Sequence, residues 1–127
     1  MIGRLTGTVV WRGGDTLILD VRGVGYELHG PSRTLDAWHA QDGEVTAIVS
    51  TQVREDAITL YAFDSFAERQ AFHTLLGVNK VGAKLALATL DALDLGALHQ
   101  AVESDDLATL TRISGVGKRT AQRLALE

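Results

Sequence analysis

An internal repeat constrains this chain more than any other feature. An offset of 35 residues lays Leu75 on Leu110, Val78 on Ile113, Val81 on Val116, Gly82 on Gly117, Lys84 on Arg119 and Ala86 on Ala121. A self-match at fixed offset marks a duplicated supersecondary unit. Each copy holds a small-residue hairpin, Lys80-Val81-Gly82 and Gly115-Val116-Gly117, between apolar residues at helical spacing. Glycine lets a backbone approach a ligand closely. The start of a helix adds unpaired N–H groups at the positive end of its dipole, which suits a phosphate oxygen. One Gly-x-Gly is ordinary turn punctuation; two copies side by side imply a grip on two phosphates.

The formal net charge of −4 argues against a protein that simply coats DNA. Its distribution does not. Arg112, Lys118, Arg119 and Arg123 form an acid-free basic stretch around the second hairpin, and Lys80 and Lys84 flank the first. Asp91, Asp94, Glu103, Asp105 and Asp106 lie between them, so one phosphate-facing and one phosphate-repelling surface are expected. The chain has no cysteine, which excludes disulfides and thiolate metal sites and fits a reducing cytoplasm. No signal peptide is read at the N-terminus, and no apolar run approaches the ~20 residues of a membrane span. A cytoplasmic, soluble protein without membrane contact is expected.

The first half reads as short strands over residues 2–11, 16–21, 24–29, 44–53 and 57–63, with a helical piece over 32–38. Gly3 and Gly7 are the expected bulge or bend points of the first strand. Five strands with one interposed helix fit a Greek-key barrel of the oligonucleotide-binding (OB) type. Ser65 and Glu68 then have capping-box spacing, and helices are expected over 66–76, 82–90, 95–103, 106–111 and 117–126. The fold class is therefore α+β with two domains: a five-stranded OB-type β-barrel over 1–63 and an all-α domain over 64–127 that carries both hairpins.

Several chemistries are not supported. His29, His39, His73 and His99 share no ligand spacing, so no metal is assigned. Ser50, Ser65, Ser104 and Ser114 are explained by strand ends, caps and turns, and no catalytic residue is assigned. The hairpins lack the context of a dinucleotide site and the Gly-Lys-Ser/Thr ending of a P-loop, so no cofactor is expected and any ATP hydrolysis belongs elsewhere. Trp11, Tyr26, Trp38, Tyr61 and Phe63 are read as core or subunit contacts rather than base-stacking platforms.

Met1-Ile2-Gly3-Arg4-Leu5, Gly23-Val24-Gly25-Tyr26-Glu27, Val53-Arg54-Glu55-Asp56-Ala57, Leu60-Tyr61-Ala62-Phe63, Gly82-x-Lys84-Leu85-Ala86-Leu87-Ala88 and Gly115-Val116-Gly117-Lys118-Arg119-Thr120-Ala121 occur in order over the whole chain. Together they resemble the RuvA family, the Holliday junction-binding subunits of bacterial branch-migration complexes. The resemblance implies a homotetramer, alone or stacked as an octamer, that assembles through the barrel domain and holds a four-way DNA junction open. It makes the hairpins tandem helix-hairpin-helix motifs that grip duplex arms through backbone amides. The implied DNA-binding positions are Asn79, Lys80, Val81, Gly82, Ala83 and Lys84 in the first and Ser114, Gly115, Val116, Gly117, Lys118 and Arg119 in the second, with Arg123 one helical turn on.

The resemblance also makes Glu55 and Asp56 an acidic pin at the junction centre, whereas by itself an acid pair at a hairpin tip is ordinary solvated turn chemistry. The partners it implies are the RuvB motor ATPase, reached through a C-terminal module expected to be missing after Glu127, and the RuvC resolvase. Lys80 departs from the pattern, standing where the leading glycine of the first hairpin is expected. A need for φ > 0 there would cost lysine roughly 1 kcal/mol relative to glycine, partly offset by a direct phosphate contact. Two other readings stay open: a general duplex-binding module of a repair enzyme, and a junction nuclease with Glu55 and Asp56 as metal ligands. The second lacks an evident third carboxylate.

Overall fold

The computed structural model describes residues 1–113 together with Gly117, Ala121, Gln122, Leu124 and Ala125. The chain divides into two compact units, Met1–Arg69 and Gln70–Glu127. The first is built on strands β1 (Arg4–Gly13), β2 (Thr16–Val21), β3 (Val24–His29), β4 (Val45–Val53) and β5 (Ile58–Phe63), with helix α1 (Ser32–Ala40) between β3 and β4. The strands close into a barrel in the order β1-β2-β3-β5-β4. Every pairing is antiparallel except β3 with β5, where Leu28 faces Leu60. The expected five-stranded OB-type barrel followed by a helical region is the observed fold, with element ends differing by a few residues.

Closure depends on β1 serving two partners. Arg4 to Gly7 pair with β4, and Thr8 to Gly13 pair with β2. Gly7 sits at the changeover, where a Cβ would lie 2.2 Å from the Asp20 carbonyl oxygen, so only glycine lets the two strands approach this closely. The bulge, expected at Gly3 or Gly7, falls instead between the Val9 to Leu19 and Trp11 to Ile18 pairs, with Val10 as the extra residue. A bulge shifts the inward/outward alternation by one. Val9 packs on the core, but beyond Val10 it is Arg12, opposite buried Leu17, that turns inward, while Trp11 is left half-exposed. The Arg12 guanidinium bonds the Gly14 carbonyl and lies 3.2 Å from Asp36 of α1, tying the helix to the β1–β2 end of the barrel.

Leu35 and Trp38 of α1 join Leu17, Leu19, Leu28, Val45, Ala47, Val49, Leu60 and Ala62 in one core, so α1 closes that end. Among the described residues the opposite end has no such plug. Val24, Val53 and Ile58 continue the inward-facing rows of β3, β4 and β5, yet are 54%, 59% and 68% exposed.

Helix α2 (Phe66–Leu76) begins on a Ser65 cap, whose Oγ accepts the Glu68 N–H at 3.1 Å. The Glu68 side chain goes to Arg33 of α1 at 3.4 Å, and Arg69 Nη1 donates to the Val49 carbonyl at 3.1 Å. These two contacts hold the first turn of α2 on the barrel. The second unit carries α3 (Ala83–Ala92), α4 (Leu95–Glu103) and α5 (Leu107–Thr111) around buried Phe72, Leu75, Val78, Val81, Ala86, Leu90, Leu98, Ala101 and Leu110. Among the described residues no helix is long and apolar enough to cross a membrane.

Candidate nucleic-acid interface

The first hairpin is a turn locked between two helices. The Gly77 and Val78 N–H groups donate to the Thr74 and Leu75 carbonyls as α2 ends, and Val81 N–H donates to the Val78 carbonyl at 3.1 Å. The last bond closes a β-turn over Val78, Asn79, Lys80 and Val81. Its third residue, Lys80, has φ 66°, the left-handed value that a type II turn demands at this position and that normally selects glycine. Val78 and Val81 are buried beneath the turn, whereas Asn79, Lys80, Gly82 and Lys84 are exposed.

Gly82 is the N-cap of α3, in extended conformation with φ −93° and ψ −178°. Its carbonyl takes the Ala86 N–H at 3.0 Å, but among the described residues no side chain caps the helix, and its first turn holds no acid. The contrast with the next two helices is sharp. Asp94 accepts the Ala97 N–H at 2.8 Å to open α4, and Asp106 accepts the Thr109 N–H at 3.2 Å to open α5. A Cβ built on Gly82 meets nothing within 4 Å. The start of α3 thus presents bare amides, open space and flanking cations, and an oxyanion satisfies all three.

The second copy repeats this framework bond for bond where it is described. Ile113 N–H donates to the Leu110 carbonyl at 3.3 Å, as Val78 does to Leu75 at 3.0 Å. Ala121 N–H donates to the Gly117 carbonyl at 2.9 Å, as Ala86 does to Gly82. Leu110, Ile113 and Ala121 are buried like Leu75, Val78 and Ala86, and Gly117 is exposed with nothing within 4 Å of a Cβ. The remaining sequence-derived positions of this copy, Ser114, Gly115, Val116, Lys118, Arg119 and Arg123, lie outside the described residues.

The acids between the hairpins have local work that the sequence reading did not assign. Besides the caps at Asp94 and Asp106, Asp105 has φ 52° and closes α4 in a Schellman arrangement, with Asp106 N–H on the Ala101 carbonyl and Asp105 N–H on that of Val102. Thr109, through its hydroxyl and its N–H, holds the Asp106 carboxyl below the usual carboxylate range. Helix boundaries therefore account for three of the five acids without any appeal to a repelling surface.

At the unplugged end of the barrel, Arg54 N–H donates to the Ala57 carbonyl at 2.8 Å, which leaves Glu55 and Asp56 as the two residues at the tip of the β4–β5 hairpin. Both are exposed, and the exposed Val53 to Ile58 pair stands immediately behind them. Among the described residues no group of three or more histidine, aspartate or glutamate side chains is arranged to hold a metal ion. The apolar barrel end went unnoticed in the sequence because Val53 and Ile58 continue their strands' inward alternation and read as core.

The family model described as the RuvA N-terminal domain matches residues 1–62, and that of a SAM-like helix-hairpin-helix tandem matches 72–127. Among curated proteins, the chain is similar over its whole length to the Holliday junction branch migration complex subunit RuvA of several bacteria. That of Alkalilimnicola ehrlichii is 50% identical and the chain covers 61% of it; that of Bordetella pertussis is 45% identical with 67% covered; that of Zymomonas mobilis is 42% identical with 60% covered. The chain thus spans about two thirds or less of these relatives' length.

Proposed function

The chain belongs to the RuvA family, and from that premise we propose that it binds four-way (Holliday) DNA junctions by shape and holds them open for branch migration by a RuvB-type ATPase. The observation that carries this reading is the repeated hairpin framework, with the Leu75/Leu110 and Gly82/Gly117 carbonyls bonded alike and the start of α3 left uncapped. In this reading the amides around Val81, Gly82 and Ala83, with Lys84 and the flanking Asn79 and Lys80, take one phosphate. Ser114, Gly115, Val116, Gly117, Lys118, Arg119 and Arg123 take another. Contacts of this kind fix register and carry little base information, so recognition follows junction geometry.

Glu55 and Asp56 act as the pin. Four subunits would bring about eight carboxylates to the crossover, where they repel phosphates and disfavour a stacked junction. Their exposure at a tight hairpin tip supports this, as does the apolar barrel end behind them, which is suited to burial against other copies in a tetramer or a stacked octamer. The barrel over 1–63 is the assembly domain and 64–127 the DNA-gripping domain. The subunit is non-catalytic and cytoplasmic, works with the motor ATPase, and presents the opened junction to a RuvC-type resolvase.

Competition binding of a four-way junction against linear duplex, with and without Mg2+, tests the proposal. A strong junction preference without cleavage is expected. Equal binding would make the chain a general duplex-binding module, and Mg2+-dependent cutting would make it a nuclease.

A further inference from the structure

We propose that the outer face of strands β2 and β3 is a docking site for another protein, one that presents a large apolar side chain beside a lysine or arginine. The β1 bulge builds the site. Regular alternation from Val9 would turn Trp11 inward; the extra residue, Val10, leaves it outward and 50% exposed. There Trp11 stands in register with Ile18 of β2, and Ile18 with Glu27 of β3, and these three with Thr16 line a groove of about 350 Å3. Glycines on both sides shape it. A Cβ on Gly13 would lie 2.6 Å from the indole, and one on Gly25 would lie 3.2 Å from Ile18 Cγ2. The indole is therefore seated on the Gly13 backbone, and the floor beside Ile18 is kept open. A seated but uncovered tryptophan is the kind of side chain that anchors protein interfaces.

Charge selects the occupant. The outer positions of β2 and β3 carry Asp20 and Glu27, and neither makes an ion pair or a side-chain hydrogen bond among the described residues. Asp15 adds a carboxylate at the β1–β2 turn, beside Thr16, while Arg12 of β1 is turned inward to Asp36. In an OB-type barrel this face and the adjoining turns are the usual seat of an oligonucleotide. Here the free carboxylates repel phosphates, and the groove between them suits an apolar group. A lysine or arginine of the partner satisfies Glu27 and Asp20 while a neighbouring apolar side chain covers Trp11 and Ile18. The site is separate from Val24, Val53 and Ile58, which continue the inward rows, and does not depend on the function proposed above.

Phage-displayed random hexapeptides selected on the full chain, with those also retained by Glu27→Lys discarded, supply the probe. The surviving peptides should share a large apolar residue within two positions of a lysine or arginine. Of the two tryptophans Trp38 is buried, so a shift of emission on titration with the synthetic peptide reports Trp11. Gly25→Val fills the groove with a residue that suits a strand, and should weaken the peptide by about tenfold or more while the chain stays folded. Glu27→Asp, which keeps the charge, should retain binding. A pool left empty by the Glu27→Lys step, a consensus without a cation, or binding untouched by Gly25→Val would overturn the proposal. So would the same emission shift produced by an oligo-dT strand, which would make the face a nucleic-acid site, or by raising the concentration of the chain alone, which would make it a contact between copies.

Discussion

The Arg33 guanidinium lies 3.4 Å from the Glu68 carboxylate, joining α1 to the first turn of α2, and Glu68 is almost fully buried while Arg33 is not. The other carboxylate oxygen, Oε1, is buried without a hydrogen-bond partner among the described residues. Burial is the larger influence and raises the Glu68 pKa above 4.5, with Arg33 pulling the other way. A carboxyl that holds its proton more tightly in the folded state contributes fully below its unfolded pKa, and that contribution is lost as pH rises through the folded one.

Glu68→Gln removes the titration while leaving the Ser65 cap in place. The variant should stay within about 1 kcal/mol of the parent at pH 7, because one member of the pair is partly solvated. Urea unfolding from pH 4.5 to 8 should show the parent losing ground to the variant as pH rises. A difference constant over that range would rule out a raised carboxyl.

Val53 and Ile58 face each other one step behind the acidic tip, both exposed on the row that elsewhere fills the core. The double change to serine should leave the barrel folded, since neither residue is buried within the chain. If copies bury this end, the change should weaken each contact by about 2 kcal/mol, roughly thirtyfold in its dissociation constant. Light scattering across a concentration series would show this as a shift to smaller species. A parent that is monomeric at every concentration would remove the assembly proposal outright.

The frame of the fold was legible because its signals are local. Thr16–Val21 and Val24–His29 alternate between turn signals, and Phe66–Leu76 starts on Ser65, so each reads directly from periodicity and caps. What escaped was set by partners distant in sequence. The bulge moved to Val10 because the barrel needs an alternation shift after β1 leaves β4, and Gly7 was kept for the Asp20 backbone it touches. Of the expected capping box the Ser65 half is in place, and what the pattern did not announce is that buried Glu68 goes to the Arg33 guanidinium. At the candidate site the repeat was visible as spelling, and its meaning as two matched sets of carbonyl bonds was not.

Glu55 and Asp56 are exposed at their turn and bond to nothing that holds the hairpin together among the described residues. Changing them to glutamine and asparagine should leave stability within about 0.5 kcal/mol, as for surface positions generally. Junction binding should be kept or tightened a few-fold at low salt, with the gain screened away toward 1 M, where the Debye length is about 3 Å. Branch migration with the motor should be disturbed. Abolished junction binding would show that the acids attract rather than repel.

Gly82 separates stability from binding more sharply. Its φ of −93° is open to any residue and a Cβ there has free space, so the fold does not require glycine. Gly82→Asp would give α3 the same cap that Asp94 and Asp106 give α4 and α5, worth a few tenths of a kcal/mol over glycine. The new carboxylate would also occupy the amides and place a negative charge where the phosphate is to sit. A slightly higher melting temperature with at least about tenfold weaker junction binding is therefore expected, roughly 1.4 kcal/mol or more. Binding that survives the cap would mean that the start of α3 does not touch DNA, whatever its resemblance to the second hairpin.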